Sequence, residues 1–201
     1  MKKLTLIALL ITSTTMVFAQ APKFGFKAGL NLNNVSSNDE ELNEELGGRT
    51  SIHLGVITDF TISKSLSFQP QLLFSGRGAK ESHGDHSDVY DFNSLELPLN
   101  FVYGKNSSKG VFVGMGPSLG YNLNGKIKGH DEDPENIEFG SGEGQIKRFD
   151  LGLNAILGYQ FSNKYFVSTN YSSGLSNWSN NSNATWKNNI LGISVGFFLK
   201  K

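Results

Sequence analysis

Histidines, hydroxyls and carboxylates are the side chains with chemistry to offer in this chain. Cysteine is absent, which removes thiol catalysis, disulfides and N-terminal lipid attachment through a thiol. Ser51 and His53 stand two residues apart. On a strand they share a face, as a nucleophile and its base would. A working triad also needs an orienting acid and access to substrate, and no G-x-S-x-G motif accompanies them. His83-Gly-Asp85-His86-Ser-Asp88 and His130-Asp131-Glu132-Asp133 contain ligand types that divalent cations accept. EF-hand spacing is missing from both, and polar loops produce such clusters by composition alone. No metal and no cofactor is expected. Six further charges lie inside alternating apolar and polar stretches: Lys27, Asp59, Arg77, Glu96, Arg148 and Asp150.

Those stretches decide what the charges can do. From Phe149 to Phe161 every odd residue is apolar: Phe149, Leu151, Leu153, Ala155, Leu157, Tyr159 and Phe161. The even positions hold Asp150, Gly152, Asn154, Ile156, Gly158 and Gln160. Period two is a strand with one greasy face and one small, mostly polar face. The polar face cannot make a dry core, so the greasy face needs an apolar partner outside the strand, either a second sheet or lipid.

Residues 1–19 read as a secretory signal peptide: Lys2 and Lys3, an apolar run from Leu4 to Ile11, then Val17-Phe18-Ala19 before Gln20. Residues 20–201 are then one domain. Without the two signal lysines, 18 − 2 = 16 Lys and Arg face 18 Asp and Glu, a balance that offers nothing to nucleic acid. No later apolar run is long enough for a membrane-spanning helix. The same alternation predicts eight strands, Lys23–Asn33, Arg49–Ile62, Leu66–Arg77, Tyr90–Tyr103, Val111–Leu123, Phe149–Phe161, Tyr165–Asn177 and Asn189–Lys200. Pro70 cannot donate to a ladder and predicts a bulge or break. The connections alternate long and short. The long ones begin at Asn34, Gly78, Asn124 and Trp178, and the short turns lie at Ser63–Ser65, Gly104–Lys109 and Ser162–Lys164.

Even strand number, strands of about ten residues and a long–short rhythm predict an all-β fold, an eight-stranded antiparallel up-and-down transmembrane β-barrel. Lipid offers no hydrogen bonds, so such a sheet must close on itself. Asp59, Glu96 and Asp150 fall on the parity opposite the greasy set, hence inside; the other fifteen acids lie in or beside the long connections. Lys27, Arg77 and Arg148 share the inward parity and predict internal ion pairs, with Lys27 expected beside Asp59. Phe24, Phe60, Phe68, Tyr103, Tyr159 and Phe161 group at the short-turn end, and Phe74, Tyr121 and Phe149 at the other, as aromatic girdles do. Eight strands enclose only enough space for side chains, so a plugged, non-conducting lumen is expected.

The segments FGFKAGLNLNNV, LELPLNFVYG, VFVGMGPSLGYNL and FDLGLNAILGYQF are similar to the PorT-like outer-membrane β-barrel family across nearly all of the mature chain. The resemblance implies a protein of the outer membrane of Gram-negative cells, carrying a signal peptide. Some members are linked to protein secretion at the cell surface; no motif here carries that role over. The ending Phe197-Phe198-Leu199-Lys200-Lys201 departs from the usual C-terminal aromatic. The expected function is non-enzymatic, with four long extracellular loops in a structural, adhesion or secretion-accessory role. Expected partners are outer-membrane lipid and lipopolysaccharide, the barrel-assembly machinery and a surface or secretion partner. Two alternatives stand beside this. One is a lipid-modifying enzyme of lipid-A deacylase type using Ser51 and His53. The other is a soluble periplasmic lipocalin-like barrel, which requires the opposite parity, greasy side in.

Overall fold

A computed structural model of the chain describes residues 21–37, 46–83, 86–104, 109–129, 133–142, 145–161, 164–180 and 185–199. The expected signal segment, His130 to Glu132, Asp85 and the side chains of His83 and His86 lie outside what is described.

Eight strands form the wall: β1 Lys23–Ser37, β2 Arg49–Thr61, β3 Leu66–His83, β4 His86–Tyr103, β5 Gly110–Lys128, β6 Phe149–Gln160, β7 Tyr165–Gly174 and β8 Trp186–Phe198. Each pairs antiparallel with its sequence neighbours, and β1 pairs with β8 from Gly25↔Phe198 to Ser37↔Trp186. The sheet is therefore a closed eight-stranded antiparallel barrel.

The faces divide as the alternation requires. Phe24, Leu30, Ile52, Leu54, Val113, Leu153, Leu157, Ile193 and Val195 are exposed on the outside, while Lys27, Asn31, His53, Gln71, Arg77, Glu96, Asn100, Asp150 and Asn154 are buried in the lumen. The hydrocarbon side looks outward and the polar side inward, the reverse of a soluble lipocalin. That reading is overturned. Aromatic rings gather at the short-turn end, with Phe68–Phe101, Tyr159–Phe161 and Phe26–Phe197 centroids 5.1, 5.1 and 5.5 Å apart. At the loop end Tyr121 and Phe149 are 4.9 Å apart.

One expectation needs correction. The long connection expected from Gly78 is mostly strand, because β3 and β4 stay paired as far as His83↔His86. Segments in water can be polar on both faces, so alternation does not announce them. The two-residue strand Leu46–Gly47 adds to Glu81 and Lys80 on one flank of this extension, and Glu135–Asn136 adds to β5 on the other. The wall is consequently uneven: β3, β4 and β5 have 18, 18 and 19 residues, β6 and β7 only 12 and 10. Pro70 gives the expected break in the ladder, without a bulge. The β2–β3 ladder skips from Ile57↔Gln71 to Phe60↔Phe68 in constant register, and the one-residue shift lies between Asn93 and Ser94 against β5.

Candidate functional site

The lumen is built in three storeys. At the short-turn end Ile57, Val102, Phe112, Ile156, Phe166 and Phe198 form an apolar plug. Its rings need space that cross-strand glycines supply. Phe112 faces Gly158 and Phe166 faces Gly196. A Cβ on either glycine would lie 2.3 Å from the ring it faces.

Above the plug the lumen is polar. Lys27 Nζ donates to Gln71 Oε1 at 3.3 Å. On the short-turn side, two residues beyond Ile57 of the plug, Asp59 accepts from Gln69 Nε2 at 2.6 Å and Ser67 Oγ at 3.4 Å. The expected Lys27–Asp59 pair does not form: the β1–β2 register sets Gly55 across from Lys27 and Lys23 across from Asp59. Shared parity put both side chains inside, but the stagger between the strands separates them along the axis. Ser194, Gly29 and His53 lie in one row across β8, β1 and β2. With hydrogen alone on Gly29, His53 reaches past it: Nε2 is 2.9 Å from Ser194 Oγ and Nδ1 is 2.8 Å from Asn31 Oδ1. Asn31 Nδ2 donates to Ser75 Oγ at 2.8 Å, which turns the amide oxygen toward the ring. In a neutral imidazole Nδ1 then carries the proton and Nε2 accepts from the hydroxyl.

Serine, imidazole and amide in hydrogen-bonded sequence resemble the polar part of a hydrolase triad. The setting denies them that work. Ser194, His53 and Asn31 are each no more than 3% exposed, and the adjoining lumen cavity holds only about 10 Å³. An ester carbonyl has nowhere to sit within reach of the hydroxyl. Ser51 takes no part: it donates to the Gly76 carbonyl at 2.6 Å and accepts from Asn33 Nδ2 at 2.8 Å.

The third storey is an ionic cluster under a lid. Glu96, Gly120 and Asp150 stand side by side on β4, β5 and β6. Arg77, from β3, lays its guanidinium over Gly120, where a Cβ would come within 2.6 Å. Its Nε holds Glu96 Oε1 and its Nη1 holds Asp150 Oδ2, both at 2.8 Å. All three side chains are below 10% exposed, so the two-to-one charge set is desolvated and tightly ordered. Arg148 is not in this cluster. It stands half-buried at the loop end, donates to the Asn122 and Leu123 carbonyls, and lies over the Tyr121 and Phe139 rings.

The lid closes from above. Trp178 is 1% exposed, 5.9 Å above the Arg77 guanidinium and edge-on to Phe92. Ser176 Oγ donates to Asp150 Oδ1 at 2.6 Å. Lys147 Nζ binds the Asn177 and Ser179 carbonyls, and Asn180 Nδ2 binds those of Gly140 and Gln145. The connections after β5 and β7 are thereby stitched into one cover. Sequence reading passed over Trp178, Ser176, Asn31 and Ser194. A tryptophan in an asparagine-rich connection was the available signal. Among the described residues no cluster of three metal-ligating side chains occurs.

Residues 18–180 match the family described as outer membrane protein beta-barrel domain. The chain belongs to that family. This outer-membrane barrel resembles three solved proteins. Neisserial surface protein A is 12% identical with TM-score 0.53, covering 90% of this chain and 100% of that one. OprG from Pseudomonas aeruginosa is 15% identical with TM-score 0.49, covering 90% and 98%. Ail, the attachment invasion locus protein of Yersinia pestis, solved with the heparin analogue sucrose octasulfate, is 15% identical with TM-score 0.44, covering 89% and 100%. At these identities the likeness to Neisserial surface protein A speaks for the fold alone. No curated protein sequence matches the outer-membrane barrel.

Proposed function

We propose that this outer-membrane barrel is a non-enzymatic, non-conducting surface protein of PorT-like kind, exported through residues 1–19. It works through its loop end, as a structural, adhesion or secretion-accessory element. The observation that carries this reading is the lumen blocked twice, by the Phe112–Phe166–Phe198 plug and by Trp178 over Arg77. With the lumen blocked, the accessible surface facing away from the short turns belongs to the connections and the β3–β4–β5 extension. Lipopolysaccharide and outer-membrane lipid surround the wall, and the barrel-assembly machinery inserts it. A surface or secretion partner docks on the loop end.

The test removes segments 38–45 and 181–184 separately and scores photo-crosslinks to neighbouring proteins in cells. A crosslinked partner lost with one segment supports the reading. Unchanged crosslinks in both deletions, together with steady single-channel current from the intact protein, refute it. Phospholipase and deacylase assays with Ser194→Ala check the lumen hydroxyl; activity abolished by that change would reinstate an enzyme.

A further inference from the structure

The outward face of β8, β1 and β2 carries a cleft of about 510 Å³ near the short-turn end. Ala28 forms its floor beside the backbones of Gly55 and Gly196; Phe26, Tyr165 and Phe197 form walls. The register explains the hollow. Ala28 stands between Leu54 and Val195, so one methyl group lies in a field of large side chains. Phe26 and Phe197 brace each other at 5.5 Å. The cleft is continuous with the lipid-facing band. At its short-turn end stands one cation. Lys164 holds its ammonium 5.9 Å from the Tyr165 ring centroid and accepts the Phe198 N–H at its carbonyl.

A hydrocarbon slot ending at a lysine fits one chemistry: an acyl tail joined to a phosphate. We propose that the cleft is a binding site for one phospholipid of the leaflet on the short-turn side, its acyl chain on Ala28 and its phosphate facing Lys164. The inference rests on the membrane reading above. A second copy is a poorer occupant, because a twofold contact here would set two hollows against each other and leave both unfilled.

The full chain, refolded into vesicles of phosphatidylethanolamine and phosphatidylglycerol, is extracted into mild detergent and weighed by native mass spectrometry. One retained phospholipid is expected. Ala28→Phe should lower its occupancy about fivefold or more, the scale of losing a methylene or two of burial. Ala155→Phe, at an outward alanine three strands round the barrel between Met115 and Tyr171, should not. Ala28→Leu serves if the phenylalanine variant does not fold. Lys164→Gln should shift the retained lipid away from phosphatidylglycerol. No phospholipid on the parent protein, equal retention after filling Ala28, or a dimer dispersed by Ala28→Phe would overturn the site. Heat-modifiable gel migration is read in parallel: its absence from the parent protein defeats the membrane reading itself, whereas its presence without bound lipid defeats only the cleft.

Discussion

Taking away the guanidinium of Arg77 leaves Glu96 and Asp150 facing each other across Gly120 with no cation between them. Arg77→Met should therefore cost about 3–5 kcal/mol, the usual range for stripping one partner from a buried pair. Combining it with Glu96→Gln and Asp150→Asn should recover most of that. Urea unfolding in lipid vesicles measures both. Tyr90 is a second informative residue, on the β4 extension beyond the apolar band. Burial first, then the Glu81 carboxylate it binds at 3.0 Å, push its phenol up to about 12. The folded value lies above the ordinary one of 10.0, so the protonated phenol's contribution is complete below pH 10 and fades as pH rises toward 12. Ultraviolet titration should show a late step from Tyr90, and Glu81→Gln should move it down. The inward position of Lys27, Asp59, Arg77, Glu96 and Asp150 was legible from alternation. Their pairing was not, because parity says which face a side chain takes and leaves the stagger between strands open. Arg148 shows a further limit: just before a strand's first residue, parity no longer determines where a long side chain ends.

Glycines at the level of single strands explain how eight strands hold so many large groups. Gly158 and Gly196 receive Phe112 and Phe166, Gly120 receives Arg77, and Gly29 lets His53 pass to Ser194. Gly196→Val should displace Phe166 and cost about 1–3 kcal/mol through overpacking. The midpoint of urea unfolding, compared with the outward change Val195→Ala, distinguishes crowding in the lumen from loss of wall surface. The eight-strand count and the greasy face of each strand could be read from the chain, since lipid imposes strict alternation. The extra length of β3, β4 and β5 could not. Beyond the bilayer both faces of a strand meet water, and His83, His86 and Asp88 carry no period to betray it.

For the molecule as a whole, the two blocks act in series. Planar-bilayer recordings should show no steady current from the parent protein, and none from Trp178→Ala, because the plug at Phe112, Phe166 and Phe198 stays intact. Trp178→Ala should nonetheless speed amide exchange across 145–151 and 174–180, where lid and lumen share Ser176, Asp150 and Arg77. Unchanged exchange would mean the lid is held by its own backbone contacts. The uneven height of the wall has a further consequence. Strands of 18 and 19 residues on one flank rise well above those of 12 and 10 on the other, like a parapet beside an open sill. Among the described residues the rim is lowest at β6 and β7, so a bulky visitor approaches the cover over Trp178 from that quarter. Antibodies raised against intact cells should accordingly fall into two groups, one gripping the parapet and one approaching over the sill, and only the second should compete with a partner seated on the cover.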